Sequence, residues 1–219
     1  MKPRVGLLGG TFNPIHRGHI ELGLKIHEVF HLREILYILS ARPPHKKSMD
    51  VAPAEVRWKM LQQALEPFPQ LVPCDIEMKR SLDSWTIDTV SELKARFPEN
   101  SYYFISGSEG FLKIPTWKNY QKLLHELSFI VILREESHET QVEQLLLKEG
   151  ITPRRQYSNP LVNEEEIPSV YLFSYSSDTL GISSTFIRQK VKSSGYEQVE
   201  QYVIEEVKKI MEEYDLYEK

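Results

Sequence analysis

The most constraining feature is the order of the first forty residues. An apolar run, "RVGLLGG" at residues 4 to 10, ends in two glycines. Residues 18 to 32 follow, with Ile20, Leu22, Leu24, Ile26, Val29 and Phe30 at roughly helical spacing, and then a second strand-like run, "EILYIL". Strand, helix and strand in that space is the unit of a parallel sheet, because parallel neighbours need a crossover and a helix supplies it.

The alternation continues. A polar, proline-bearing loop leads to a helix over 54–65, a strand-like "LVPCDIEM", a helix over 86–97 stopped by Pro98, the strand "YYFISG", a helix over 119–127 and the strand "FIVILR". Residues 138 to 150 read as a helix ended by Gly150, and 152–168 as a polar connection. "SVYLFSY" supplies a last strand. A serine-headed helix follows, with Gly195 behind it, and residues 197 to 214 form one amphipathic closing helix. With 219 residues, 41% of them hydrophobic, the chain can bury a large core. The expected fold is α/β: a doubly wound, mostly parallel Rossmann-like sheet with helices on both faces and a small C-terminal helical element. We place the core at 1–180 and the helical element at 181–219, as a single structural unit.

Composition narrows the function. One cysteine, Cys74, excludes an intramolecular disulfide framework, and no Cys/His cluster has zinc-ligand spacing. A net charge of −4 without a sustained basic stripe argues against a nucleic-acid binder. No apolar stretch is long enough for a membrane span, and the N-terminus has no secretory pattern, so the expected location is cytoplasmic. Neither G-x-G-x-x-G nor G-x-x-x-x-G-K-[ST] occurs.

In an open parallel sheet, ligands bind beyond the carboxyl ends of the strands, so the loop leaving strand one is the first place to look. It reads "GGTFNPIHRGH", residues 9 to 19. Gly9 and Gly10 permit a sharp turn, and the N–H groups entering the helix near Gly18 form a positive end suited to phosphate. His16 and His19, three apart, can share one side of the first turn as donors to phosphate oxygens, or be two surface histidines on a capping turn. Far downstream, "GISSTFIR" at 181 to 188 sets Ser183, Ser184 and Thr185 at a helix start with Arg188 one turn on. That is a phosphate nest with a guanidinium, or a capped helix with an exposed arginine.

Together these two stretches resemble the HxGH and ISSTxxR signatures of the nucleotidyltransferase superfamily that shares its core with class I aminoacyl-tRNA synthetases. "PPHK" at 43–46, "RWKM" at 57–60, "WTIDTV" at 85–90, "FISGSEGFLKIPTWKNYQKLL" at 104–124 and the terminal "LY" extend the resemblance, over most of the chain, to bacterial nicotinate mononucleotide adenylyltransferases. The resemblance implies ATP and nicotinate mononucleotide as substrates, deamido-NAD and pyrophosphate as products, and Mg²⁺ carried mainly on the ATP phosphates. It implies catalytic roles for His16, His19, Lys46 and Arg188, and an ATP site built from Gly9, Gly10, Thr11, Phe12, Gly18, Gly107, Ile182, Ser183, Ser184 and Thr185. The acceptor would meet Asn13, His45, Arg57, Trp85, Thr86, Glu109, Trp117 and Arg134. N–H groups at Thr86 and near Trp117 would receive its carboxylate, Asp88 would help hold that helix head, and Trp117 would stack on the pyridine ring. No dedicated metal cage is expected. A homo-oligomer stays open.

Read by its chemistry alone, Lys46 beside His45 is either a mobile charge for a phosphate or an ordinary solvated lysine. Two departures fall on the acceptor side. Glu109 stands where the family usually has aspartate, and Glu135 and Glu136 follow Arg134 where it usually has proline and glycine. The amide form of the acceptor, or a sensor that binds nucleotide without turnover, are the competing readings.

Overall fold

The structure, a computed structural model, describes residues 2–42, 51–80, 85–133, 136–156, 169–175, 177, 179 and 181–218. Its elements are β1 (Arg4–Gly10), α1 (Arg17–Val29), β2 (Glu34–Leu39), α2 (Ala54–Leu65), β3 (Leu71–Cys74), α3 (Thr86–Arg96), β4 (Ser101–Gly107), α4 (Ser108–Phe111), α5 (Tyr120–Glu126), β5 (Ser128–Leu133), α6 (Glu136–Lys148), β6 (Arg154–Gln156), β7 (Val170–Ser174), α7 (Ser184–Ser194) and α8 (Glu205–Glu213). Among the described residues the strands form one seven-stranded sheet in the order β3-β2-β1-β4-β5-β7-β6. The order reverses between β1 and β4, which is where doubly wound sheets open a crevice at their carboxyl ends.

The backbone packs as two compact units, interleaved in sequence. The first holds Met1–Gly9, Ile26–Leu36 and Trp85–Ser176. Its ladders are parallel, with Leu7 opposite Phe104, Ile105 opposite Ile130, Val131 opposite Leu172, and Arg155 opposite Leu172 from the far side. β5, "SFIVIL", is buried at all six positions, as a strand covered on both faces must be. Phe129 packs against Phe104 and Phe111, with ring centroids 5.8 and 5.5 Å away, and Phe30 meets Tyr171 and Phe173 edge-on. Each such ring taken wholly out of water contributes roughly 1.5 to 3 kcal/mol.

The second unit holds Gly10–Lys25, Tyr37–Ser84 and Ser177–Lys219. In it α2 buries Val56, Met60, Leu61, Ala64 and Leu65, and packs on α8, which buries Val207, Ile210 and Met211. The residues from Ser177 onward share this compact unit with the first loop.

Three elements differ from expectation. The closing helix is broken: a 3-10 turn covers Tyr196–Val199, the chain turns, and α8 starts only at Glu205. The break has a cause, since the Tyr202 carbonyl accepts the Arg17 N–H at 2.8 Å and so serves the head of α1 instead of its own helix. β3 stops at Cys74, and Met78 N–H turns back to the Asp75 carbonyl. β6 lies inside the stretch read as a polar connection. As expected, Gly150 ends α6, at φ +71°, with Ile151 N–H reaching back to the Leu146 carbonyl.

Candidate active site

The first loop is shaped by contacts that only its own residue types allow. A Cβ on Gly10 would lie 2.8 Å from the Phe12 ring, and Phe12 itself sits at φ +46°, a conformation L-residues rarely adopt. So turned, the Phe12 ring is buried against the His19 imidazole at 5.2 Å and the Tyr37 ring at 5.7 Å. At Gly18 a Cβ would fall 2.5 Å from the Thr179 carbonyl, so the segment before α7 can approach α1 only over a glycine.

His16 and His19 stack with ring centroids 3.7 Å apart. The His16 N–H donates to His19 Nδ1 at 3.3 Å, so in the neutral His19 ring the proton sits on Nε2, which becomes the donor. Tyr37, wholly buried, donates from its hydroxyl to the His19 carbonyl at 2.7 Å and fixes the first turn of α1 from below. Burial pushes the Tyr37 hydroxyl well above the ordinary tyrosine range, so it remains a donor. His16 is buried and His19 half-buried.

The second motif docks on this loop, within the same unit. Ser183 caps α7 by accepting the Phe186 N–H at 3.1 Å. The Ser184 hydroxyl donates to the Pro14 carbonyl at 2.8 Å. Arg188 donates to the Asn13 carbonyl at 2.9 Å and to the Thr185 hydroxyl at 3.3 Å. The two motifs are thus in direct contact although about 170 residues separate them. The Ser184 hydroxyl proton is used in docking, whereas Ser183 and Thr185 accept through theirs and keep an O–H to donate, beside the first-turn N–H groups and Arg188. Ile182 is half-buried and Thr185 exposed at the open end of the helix.

Two residues expected at the acceptor make architectural bonds. Arg57 is 1% exposed, and its guanidinium donates to four carbonyls: Nε to Ala52, Nη1 to Thr11 and Ser40, each at 2.8 Å, and Nη2 to Ala41 at 3.0 Å. Burial lowers its pKa, while Tyr217 and Glu55 act the other way. Such an arginine holds loops together and has little left to offer a substrate. Asn13 is 2% exposed, and its Oδ1 accepts both the Ala52 N–H at 3.0 Å and the Tyr217 hydroxyl at 2.7 Å. Every carbonyl in Thr11, Asn13 and Pro14 is therefore held by a side chain from elsewhere in the sequence.

Other expected residues lie in the first unit. Gly9 is the penultimate residue of β1 and Gly107 the last of β4, at the strand carboxyl ends. Trp85 precedes α3 and Thr86 opens it; Asp88, one turn in, pairs with Lys118 at 3.1 Å, and the same ammonium lies 6.0 Å over the Trp85 ring. Trp117 is half-buried, with Phe104 against it edge-to-face at 5.5 Å, which suits a stacking surface better than a core residue. Its N–H donates to the Ile114 carbonyl at 2.8 Å, so that group does not receive a carboxylate. Glu109 is exposed beside Gly107, and a Cβ there would sit 2.8 Å from its Oε2. His45, Lys46 and Arg134 lie outside the described residues, as does Glu135.

Sequence reasoning missed Tyr37, Thr179 and the Tyr217 hydroxyl as partners of the first loop and α1, and the buried Ser108 hydroxyl 3.0 Å from His138 Nδ1. Only the terminal "LY" signalled any of them. Among the described residues no three His, Cys, Asp or Glu side chains cluster as metal ligands, and no helix is long and apolar enough to cross a membrane.

Residues 7–190 match the cytidylyltransferase-like family. The chain is 32% identical over 214 residues to a probable nicotinate-nucleotide adenylyltransferase of Thermus thermophilus, covering 98% of this chain and 99% of that one. It is 35% identical over 192 residues to the probable nicotinate-nucleotide adenylyltransferase of Moorella thermoacetica, covering 87% and 82%. The fold matches that of Plasmodium falciparum nicotinic acid mononucleotide adenylyltransferase complexed with NaAD, at TM-score 0.76 and 21% identity, over 98% of this chain and 97% of that one. The chain belongs to the cytidylyltransferase-like family, among its nicotinate-nucleotide adenylyltransferases.

Proposed function

We propose that this chain transfers the adenylyl group of ATP to the phosphate of nicotinate mononucleotide, giving deamido-NAD and pyrophosphate. The observation that carries the reading is the contact between the motifs: a stacked histidine pair with a fixed tautomer on a loop whose Asn13 carbonyl holds Arg188. A phosphate oxygen of the acceptor attacks the α-phosphorus of ATP, the bond to the bridging oxygen breaks, and pyrophosphate leaves with the charge. The chain needs no nucleophile of its own, so positioning and charge stabilisation carry the rate.

His19 Nε2–H and His16 donate to phosphate oxygens whose charge grows in the transition state, and Arg188 grips the leaving end together with Lys46. Mg²⁺ brought in with ATP would supply charge neutralisation for the departing pyrophosphate, while the chain's own donors, His16, His19 and Arg188, would orient the phosphates. Trp117 stacks on the acceptor ring, and the N–H of Thr86 at the head of α3 meets its carboxylate. A reaction that draws on ATP suits the cytoplasm.

Pyrophosphate release decides the reading. His19→Ala should lower kcat by roughly 10² or more, as removal of a donor aimed at developing charge does elsewhere. An unimpaired variant would refute the role. Parallel assays with the acid and amide acceptors should favour the acid strongly, and equal turnover would remove nicotinate mononucleotide as the specific substrate.

A further inference from the structure

The first loop is held from a third direction that the two motifs do not account for. After α8 the chain turns back at Asp215, φ +47°, and again at Tyr217, φ +71°. Both are left-handed conformations that a non-glycine residue keeps only where the surroundings impose them. Here the surroundings are specific. Leu216 N–H returns to the Met211 carbonyl, the Tyr196 hydroxyl donates to the Leu216 carbonyl at 2.8 Å, and the Leu216 side chain is buried. The strained turn thereby delivers one group, the Tyr217 hydroxyl, to Asn13 Oδ1 at 2.7 Å.

That oxygen is a junction. It also accepts the Ala52 N–H, and the same residue's backbone carbonyl takes the Arg188 guanidinium. Arg57 and Arg188 both stand close enough to the Tyr217 hydroxyl to act on its ionisation, yet burial dominates and keeps it protonated. It is a neutral donor set between two cations. A neutral donor can lie there, whereas a third cation would repel and a carboxylate would draw Arg188 off the Asn13 carbonyl.

We propose that Tyr217 is a positioning residue for ATP: its hydroxyl fixes Asn13 so that the Asn13 carbonyl presents Arg188 to the polyphosphate. The inference rests on the adenylyl-transfer reading for its consequence in turnover, but not for its consequence in nucleotide binding. Without the hydroxyl, Asn13 Oδ1 loses the donor that the turn delivers to it, and the carbonyl that aims Arg188 gains freedom to shift. Displacements near 1 Å at a reacting centre are enough to cost up to 10²-fold in rate.

The test uses the full chain carrying Tyr217→Phe, which fills the same space, so the variant folds. Tyr214→Phe is the control, because the Tyr214 hydroxyl meets Lys59 on the same terminal stretch. Two measurements are made on each: calorimetric affinity for a non-hydrolysable ATP analogue with Mg²⁺, and kcat with KM for ATP and for nicotinate mononucleotide. For Tyr217→Phe the analogue should bind about tenfold more weakly and kcat should fall about tenfold, while KM for the acceptor stays within about twofold. Tyr214→Phe should match the unmodified chain. Unchanged analogue affinity and kcat in Tyr217→Phe would overturn the proposal, and so would equal losses in the two variants, which would mean that any loosening of the tail has the same effect. An unmodified chain that binds the analogue but releases no pyrophosphate would end the functional reading, and the calorimetry would still decide the role of Tyr217.

Discussion

Arg57 separates an architectural arginine from a substrate-binding one. Its four donor bonds run from three nitrogens of a planar fork to the carbonyls of Thr11, Ser40, Ala41 and Ala52, at 2.8 to 3.0 Å and almost wholly buried. In Arg57→Lys a single ammonium with three donors replaces the fork and cannot span four acceptors laid around it. If two carbonyls lose their partner, and each charge-assisted bond contributes about 1.5 to 3 kcal/mol, the variant loses about 3 to 6 kcal/mol. That is a large share of the roughly 5 to 15 kcal/mol typical of a folded domain. Urea unfolding followed by tryptophan fluorescence reads this as a lower midpoint at unchanged slope, with parallel kinetics measured well below the transition. A stability loss under about 1 kcal/mol together with a raised KM for the acceptor alone would refute the reasoning and return Arg57 to the substrate.

Gly18→Ala forces a methyl about 0.9 Å inside ordinary contact with the Thr179 carbonyl, so it should cost about 1 to 3 kcal/mol in a melting experiment and raise KM for ATP. Trp117→Ala should raise KM for the acceptor by about tenfold or more, the loss of one stacked ring, and leave KM for ATP near its original value; initial-rate kinetics with each substrate varied in turn checks this. Burial raises the pKa of Tyr37 and Tyr217, and pushes Tyr196 up to about 12. Each therefore holds its proton more tightly folded than unfolded. The stability they contribute is whole below the ordinary tyrosine value of 10.0 and is lost as the pH climbs toward 12. Melts between about pH 8 and 12 should show the decline beginning near 10, with part of the tyrosine absorbance change delayed until unfolding.

Much of the fold was legible because periodicity and punctuation agree. "SFIVIL" is a continuous apolar run and becomes a strand buried on both faces, Pro53 stands just before α2, and Gly150 ends α6. The break in the closing helix was not legible. Val199, Val203, Val207 and Met211 keep a four-residue rhythm across it and are all buried, and the residue that diverts the backbone, Arg17, is nearly two hundred positions away. β6 is three residues long and mostly polar, too short for an alternation to register.

At the site, the signatures revealed which stretches matter but not which atom of each residue does what. Serines at a helix head read equally as phosphate ligands or as caps, and the partners that Ser184 and Ser183 take here, Pro14 and Phe186, are in no local pattern as such. Arg57 is similar: a lone arginine on an amphipathic helix carries no mark of the four carbonyls that close around it.

The partners of the first loop's carbonyls also set an order of events in folding. Residues 11 to 14 are fastened by Arg57, Ser184, Arg188 and Tyr217, so loops spanning from 46 to more than two hundred residues must close before the turn takes its shape. The shape of this short turn is thereby a product of distant chain closure and not of local preference, and a change at any one of those remote side chains is felt in the same four residues.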